Sequence, residues 1–115
     1  ELGGVHRLDD FADLAIEYVQ PVSTSYRGYR IWECPPNGQG LVPLLMANIL
    51  EGYELASLPT VSAERYHLQA EASRLAYADR DAYFADPRTA QVPVDALLSD
   101  RHARDLRSRI SRTSR

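Results

Sequence analysis

A proline- and glycine-rich stretch, Pro-Pro-Asn-Gly-Gln-Gly at residues 35–40, divides the sequence into two differently patterned parts. Prolines cannot donate backbone hydrogen bonds, so a strand that arrives at Cys34 must end there. Directly after the stretch, residues 41–50 form an almost unbroken apolar run that is typical of a buried helix. The sequence therefore predicts strand and turn before residue 35 and helices after residue 40.

The stretch itself has two interpretations. Gly38 and Gly40 can adopt the positive φ angles that a tight loop requires. A glycine-rich loop that leads from a strand into a helix can also bring backbone amides close to an anion or to a neighbouring chain segment. On its own, the pattern favours a structural corner over a binding loop.

Length and charge limit the class of protein. A chain of 115 residues allows one domain with one modest core. We divide this single domain (1–115) into an N-terminal turn and hairpin, residues 1–34, and a helical part, residues 35–115. The formal net charge of −3 argues against bulk attraction to nucleic acid or to an anionic membrane. No apolar run reaches the roughly 18 residues that a spanning helix needs. No signal-peptide pattern is visible, and the start Glu-Leu-Gly-Gly, without methionine, suggests a fragment of a longer protein.

The single cysteine, Cys34, offers little chemistry. One cysteine cannot form an internal disulfide, so cysteine usage does not reveal the compartment. The nearest preceding basic residue is Arg30, which leaves the thiolate without an adjacent cation. We therefore expect a packed thiol rather than a nucleophile.

The N-terminal part predicts a helical turn at 11–14 and then a β-hairpin. Alternation of apolar and polar residues predicts a strand at 16–19 that is ended or bulged at Pro21 and continued at 22–26. Arg27-Gly28 is a two-residue turn signal, and the second strand follows it at residues 29–33. A hairpin alone is marginal in water, so this one is expected to pack on helices or to join a larger sheet.

Three longer helices are predicted after the loop. The first, at 41–50, is expected to carry Pro43 in its first turn and to have Gly52 as its C′ residue. Its broad apolar face includes Met46, with Ala47 and Asn48 on the narrower polar side.

The second and third helices have clear start signals. Ser62 is an N-cap candidate for a helix from residue 63 to 83 or 84, which Asp86-Pro87 ends. A short helical turn from Pro93 to Leu98 precedes Ser99, which is expected to cap a helix from residue 100 to about 110. The last helix has a thin apolar seam made by Ala103, Leu106 and Ile110, and residues 111–115 are expected to fray.

The long second helix places a carboxylate on an apolar stripe. The stripe consists of Leu68, Ala72, Leu75, Ala76 and Tyr83, and Asp79 falls on it. A carboxylate in such a position is costly unless it is paired or accepts hydrogen bonds.

A dense ionic cluster surrounds this position. Its members are Glu71, Arg74, Asp79, Arg80 and Asp81. One interpretation is an acid/base pair or a substrate-binding arginine. The other, which we favour, is a buried ion pair that orients the helix.

Metal and phosphate sites have weak signals. His67 and Glu71 stand four residues apart on a helix, as two ligands of one metal would, but no third ligand follows at a useful spacing, so a surface contact is favoured. The arginines of residues 101–115 are interleaved with aspartates, which favours a solvated face with Asp100–Arg104 and Asp105–Arg109 pairs. We assign no catalytic, cofactor-binding or metal-binding residue, and no cofactor is expected.

Several motifs, taken in chain order, resemble the gamma-glutamyltransferase family across almost the whole chain. They are Gly3-Gly4, Asp10-Phe11-Ala12-Asp13-Leu14, Pro21-Val22-Ser23, Tyr26-Arg27-Gly28-Tyr29, residues 35–40, Asn48-Ile49-Leu50-Glu51-Gly52, Glu71-Ala72, Leu75-Ala76-Tyr77-Ala78-Asp79-Arg80-Asp81, Asp86-Pro87 and Val92-Pro93. The Asn-Gly-Gln-Gly form of the loop differs from the more usual Pro-Ser-Ser-Gly-Gly type and is closer to the acylase-like or an uncharacterised branch of the family.

The resemblance implies an N-terminal-nucleophile hydrolase with an αββα core. Such a precursor cuts itself before a threonine, which then transfers or hydrolyses γ-glutamyl groups, as from glutathione, through an acyl-enzyme. This chain resembles the C-terminal part of the large subunit, upstream of that threonine. Thr113 lacks the family's Thr-Thr-His-type surroundings, and the arginine that binds the substrate carboxylate is expected further upstream, so neither role is assigned here.

The fold expected for the chain is therefore α+β, a mostly helical fragment with a β-hairpin followed by about three helices, inactive alone. Its implied partner is the remainder of a bacterial precursor, whether cytoplasmic, periplasmic or secreted, and the loop at 35–40 is expected to border the other subunit. Asp79 and Arg80 are expected to belong to the helix packing. The wide apolar face of the 41–50 helix predicts self-association, for which hairpin swapping is one route.

Two other functions remain open. One is a non-catalytic helical interaction module. The other is an acylase that acts on β-lactam side chains with the same nucleophile chemistry.

Overall fold

The computed structural model describes residues 3–12 and 14–111. Its elements are α1 (Leu8–Ala12), β1 (Val22–Tyr26), β2 (Tyr29–Glu33), α2 (Leu41–Leu50), a 3-10 turn (Leu55–Ser57), α3 (Ala63–Tyr83), α4 (Val94–Leu97) and α5 (Asp100–Ser108). The expected α+β class, a hairpin followed by helices, is confirmed. Three parts of the sequence predictions lie outside the described residues: Asp13 of the predicted helical turn, Thr113, and residues 112–115 of the segment expected to fray.

The hairpin has the predicted turn. β1 and β2 pair antiparallel from Val22 opposite Glu33 to Tyr26 opposite Tyr29. Arg27 and Gly28 both have positive φ, at 52° and 83°, which is the backbone of the two-residue turns that match the strand twist. Glycine reaches such angles without steric cost, so Gly28 supplies the local signal that sets this register.

The predicted strand at 16–19 is wrong. Residues 14–21 have no regular secondary structure, and Ile16 remains 89% exposed. Alternation makes a strand only where a partner strand is available, and β1 pairs with β2 alone among the described residues. The helical turn expected at 11–14 instead lies at Leu8–Ala12, where the backbone N–H of Arg7 donates to the Asp10 carboxylate over 2.7 Å.

Helix α2 is the centre of the core. It spans the predicted residues, and Leu41, Leu44, Leu45 and Ile49 are fully buried. It packs against α3, α5 and the hairpin, so the wide apolar face is covered within the chain. An exposed apolar face on α2 therefore no longer supports the expected self-association. Among the described residues, seven exposed apolar side chains lie in the N-terminal segment, at Val5, Leu8, Phe11, Leu14, Ile16, Tyr18 and Val19. Six others, also within the described part of the chain, lie in the hairpin, in α3 and at Val61.

The side of α2 predicted to be polar is also mostly buried. Ala47 is buried, and half-buried Asn48 joins two neighbours. The Thr24 hydroxyl donates to the side-chain oxygen of Asn48, whose amide donates to the carbonyl oxygen of Leu98 over 3.1 Å. Asn48 thus connects the hairpin to the α4–α5 junction through directional bonds.

Position 52 requires glycine for a reason other than the predicted C′ conformation. Among the described residues, positive φ occurs at Gly3, Gly28 and Arg27, so Gly52 is not a left-handed C′ residue. A Cβ on Gly52 would instead collide with the Arg107 side chain. That guanidinium donates to the carbonyl oxygen of Asn48 over 2.7 Å, which satisfies the C-terminal end of α2.

The start signals of α3 and α5 are confirmed. The hydroxyl of Ser62 accepts from the backbone N–H of Arg65, and the hydroxyl of Ser99 accepts from the N–H of His102, each over 3.2 Å. The seam residues of α5 are buried, but the helix ends at Ser108. Neither predicted i,i+4 pair of α5 occurs among the ion pairs of the described residues, which are Arg27–Glu51, Arg27–Glu54, Glu71–Arg74, Arg80–Asp81, Asp86–Arg88 and Asp79–His102.

Candidate functional site

The loop at residues 35–40 is a close corner between β2 and α2. Gly40, which precedes α2, has an ordinary helical conformation with φ −56° and ψ −28°. The positive φ predicted for Gly38 and Gly40 is therefore wrong. A Cβ on Gly40 would lie 2.6 Å from the carbonyl oxygen of Cys34 and 2.9 Å from the Cβ of Glu33. Glycine is required here because the start of the helix approaches the end of the strand closely.

Arg80 ties this loop to α3. Its guanidinium donates to the side-chain oxygen of Gln39 over 3.3 Å and lies 4.5 Å from the centroid of the Tyr77 ring. It also pairs with Asp81 at 2.6 Å. An arginine can make these contacts together, because its planar group stacks and donates in several directions at once. Arg80 thus links α3 to the loop through its contact with Gln39.

Asp79 has a partner that sequence reasoning missed. The side chain is buried on α3, and its Oδ2 lies 2.6 Å from Nε2 of His102 on α5. The favoured interpretation, a buried pair that orients the helix, finds its geometry in this contact. The apolar stripe showed that a partner was needed, but a partner 23 positions along the chain has no local sequence signal.

The rest of the ionic cluster separates into exposed pairs. Arg74 donates to Glu71 over 2.8 Å, and this hydrogen bond raises the pKa of Arg74 above its ordinary value. Arg80 and Asp81 form the other pair, so the five charged residues do not converge on one point. Tyr83, placed on the buried stripe from the sequence, is exposed.

Cys34 is exposed, which corrects the expected packed thiol. The residue follows β2 at the point where the chain turns into the proline pair. Its side chain therefore faces the surface of the corner rather than the core.

Two shallow grooves flank the proline pair. The larger, of about 600 Å³, is lined mainly by Val19, Pro35, Pro36 and residues 87–92. The smaller, of about 340 Å³, lies between the same prolines and residues 14–19. Asp86 begins the far wall, where its carboxylate accepts from the side chain and the backbone N–H of Arg88, and these bonds lower the pKa of Asp86. The loop is therefore bordered by largely apolar surface on one side and held by Arg80 on the other.

Residues 3–12 and 14–111 contain no group of three or more His, Cys, Asp or Glu side chains that could hold a metal ion. His67 contacts the carbonyl oxygen of Ser111 with its Nε2 at 2.6 Å, and its predicted companion Glu71 pairs with Arg74. No helix in the described part of the chain is long and apolar enough to cross a membrane.

A family model described as Gamma-glutamyltranspeptidase matches residues 1–115. The chain belongs to the gamma-glutamyltranspeptidase family. It is 41% identical over 108 residues to the Glutathione hydrolase-like YwrD proenzyme of Bacillus subtilis, which covers 94% of this chain and 21% of that protein. The predicted resemblance is confirmed.

Solved structures agree with this membership. The chain superposes on the gamma-glutamyltranspeptidase of Helicobacter pylori with a TM-score of 0.85 and 34% identity, covering 95% of this chain and 32% of that one. It superposes on the cephalosporin acylase of Bacillus halodurans with a TM-score of 0.83 and 43% identity, covering 95% of this chain and 20% of that one. The chain spans about a fifth of the length of the curated relatives that it matches.

Proposed function

We propose that this chain is the C-terminal segment of the large subunit of a self-cleaving gamma-glutamyltransferase-like precursor. The parent enzyme hydrolyses or transfers γ-glutamyl groups, as from glutathione, through an acyl-enzyme on a threonine that cleavage turns into the N-terminus of the small subunit. The segment itself carries no turnover. Its part is to bring the 35–40 loop and the surfaces around it against the remainder of the precursor.

The observation that carries this proposal is the match of the whole chain to one enzyme family. The family model matches residues 1–115. Among the described residues, however, no acid, base and nucleophile converge, because the charged side chains of α3 form separate pairs. A segment that supplies structure to a larger active site accounts for both findings. The tie of Arg80 to Gln39 supports a fixed loop in particular.

A second candidate is an acylase that removes side chains from β-lactams. It is favoured by the identity of 43% to the Bacillus halodurans acylase, compared with 34% to the Helicobacter pylori enzyme. Both candidates use the same nucleophile chemistry, so they differ in the acyl group that the parent accepts.

The test compares substrates on the full-length parent protein. We expect a higher kcat/KM for a γ-glutamyl anilide than for a cephalosporin side-chain amide, and no turnover by the isolated 115-residue chain. Preference for the cephalosporin would replace the first candidate by the second. If a folded parent turned over neither compound, the non-catalytic interaction module would become the better account.

A further inference from the structure

Helix α5 is joined to α3 at both of its ends by a histidine. At the beginning of α5, Nε2 of His102 lies 2.6 Å from Oδ2 of Asp79. Just beyond its end, the carbonyl oxygen of Ser111 lies 2.6 Å from Nε2 of His67. We call these two contacts the α5 clamp. The start of α5 contacts the end of α3, and the residues just after α5 contact the start of α3. The two helices therefore run antiparallel.

The chemistry of the acceptors fixes the role of both rings. A backbone carbonyl oxygen can only accept a hydrogen bond, and so can an ionised carboxylate. Nε2 of His67 therefore carries a proton and donates to the carbonyl oxygen of Ser111. Nε2 of His102 donates in the same way wherever the Asp79 carboxylate is ionised. Their bonds are directional, unlike the apolar contacts beside them.

Apolar packing also holds α5 beside α3, between the two clamp contacts. Leu106 and Ile110 pack into the same apolar cluster as Leu68, Ala72 and Leu75 of α3. Leucine and alanine surfaces tolerate small shifts, because apolar contact has little directional preference. The clamp adds two directional bonds, one near each end of α5, to the bond that Arg107 in the last turn of α5 donates to the carbonyl oxygen of Asn48 on α2. Together these bonds set the register and the tilt of the helix.

We propose that the α5 clamp sets the direction in which the chain leaves α5 at Ser111, and so aligns the downstream segment of the precursor for self-cleavage. His67 and His102 are then positioning residues for maturation. This inference rests on the proposed function, because it needs a precursor that cuts itself beyond this chain.

The experiment uses the full-length precursor with His67→Leu and His102→Leu, which remove the donors but keep apolar bulk. Hydrogen exchange of residues 100–111 and the rate of self-cleavage are measured together. We expect His67→Leu to speed exchange at Arg109 and Ile110 by about two- to tenfold, as loss of one hydrogen bond allows. Self-cleavage is expected to slow by about the same factor.

Two further variants separate positioning from general damage. Gln can donate from its side-chain amide, so His67→Gln is expected to restore exchange and cleavage at least in part. His6→Ala is the matched control, because this histidine stacks on Phe11 in the N-terminal segment, away from α3 and α5. It is expected to change neither measurement.

The outcomes are distinct. Unchanged exchange in His67→Leu and His102→Leu would overturn the clamp, and faster exchange with wild-type cleavage would overturn its role in maturation. A wild-type precursor that never cleaves would refute the proposed function and the maturation role together. Exchange would then still decide whether the two histidines hold α5.

Discussion

Asp79 shows how a single buried charge can organise the contact between two helices. Within the described residues it is the charged side chain that is buried, at 7% exposure, and His102 is its partner. A carboxylate in such a place stays only where a donor compensates for the lost water. Removing the donor is therefore more harmful than weakening the acceptor.

We predict that His102→Ala lowers the free energy of unfolding of the full-length protein by about 2–4 kcal/mol, because it leaves the Asp79 carboxylate buried without its partner. Asp79→Asn retains an acceptor and is expected to cost about 1 kcal/mol. Urea denaturation measures both changes. Arg74→Ala, on the exposed pair with Glu71, is the control and should cost less than about 0.5 kcal/mol. A loss in His102→Ala no larger than in this control would contradict the account.

Asp86 gives a pH prediction. The side chain and backbone N–H of Arg88 donate to its carboxylate and hold the pKa of Asp86 below its ordinary value. The carboxylate thus stabilises the fold above the ordinary pKa of about 4, and this contribution is lost as the pH falls through the lower folded pKa. Asp86→Asn should flatten the decline of unfolding free energy with acid, measured by denaturation from neutral pH downward.

Arg88→Ala removes the side-chain donor of the same pair. We expect it to flatten the acid response less than Asp86→Asn does, because the backbone N–H of residue 88 still donates to the Asp86 carboxylate and keeps part of the pKa difference between the folded and unfolded states. An acid response identical to that of the wild type in both variants would show that the pair does not lower the pKa of Asp86.

At the scale of elements, local signals predict the hairpin and the helices from residue 41 onward. The residues that begin α3 and α5, Ser62 and Ser99, cap through their own side chains, and the Arg27-Gly28 turn encodes its own backbone angles. The strand predicted at 16–19 failed because pairing depends on a partner that periodicity cannot reveal.

The candidate site could be predicted only in outline. The position of the 35–40 loop follows from its prolines and glycines, but the close approach that requires Gly40 depends on how α2 packs back on β2. The contacts of Arg80 with Gln39 and of Asp79 with His102 cross between distant elements. Sequence patterns register the need for such partners but not their identity.

The close approach at Gly40 can be tested with Gly38 as the control position. Gly40→Ala is expected to lower the free energy of unfolding by about 1–3 kcal/mol, because its Cβ would meet backbone of Cys34 at 2.6 Å. A Cβ at Gly38 would meet nothing within 4 Å, so Gly38→Ala should be nearly neutral. Thermal unfolding of the full-length variants measures the difference. Equal melting temperatures for the two would argue against the close approach.

At the scale of the whole molecule, more than half of the exposed large apolar side chains of the described residues lie in the N-terminal segment. Phe11 is 61% exposed, and six further apolar residues between Val5 and Val19 are also open to solvent. The chain spans about a fifth of the length of its curated relatives, so we expect further parts of the proposed precursor to cover this surface. Large apolar patches rarely stay exposed on a monomer.

We therefore predict that the isolated chain self-associates through residues 3–19 rather than through α2. Light scattering at rising concentration should show dimers or larger species, and replacing Phe11 and Ile16 together by Ser should reduce them. The control variant is Met46→Ser, which changes a half-buried residue of α2 instead of the N-terminal segment. A clean monomer at high concentration would contradict the prediction.

The central claim is that the chain belongs to the large subunit of a precursor that cuts itself. The most direct test is the intact mass and N-terminal sequence of the full-length parent protein after expression. The account predicts two chains, with this segment in the larger one and threonine as the first residue of the smaller one. A single uncut chain that is folded would contradict it.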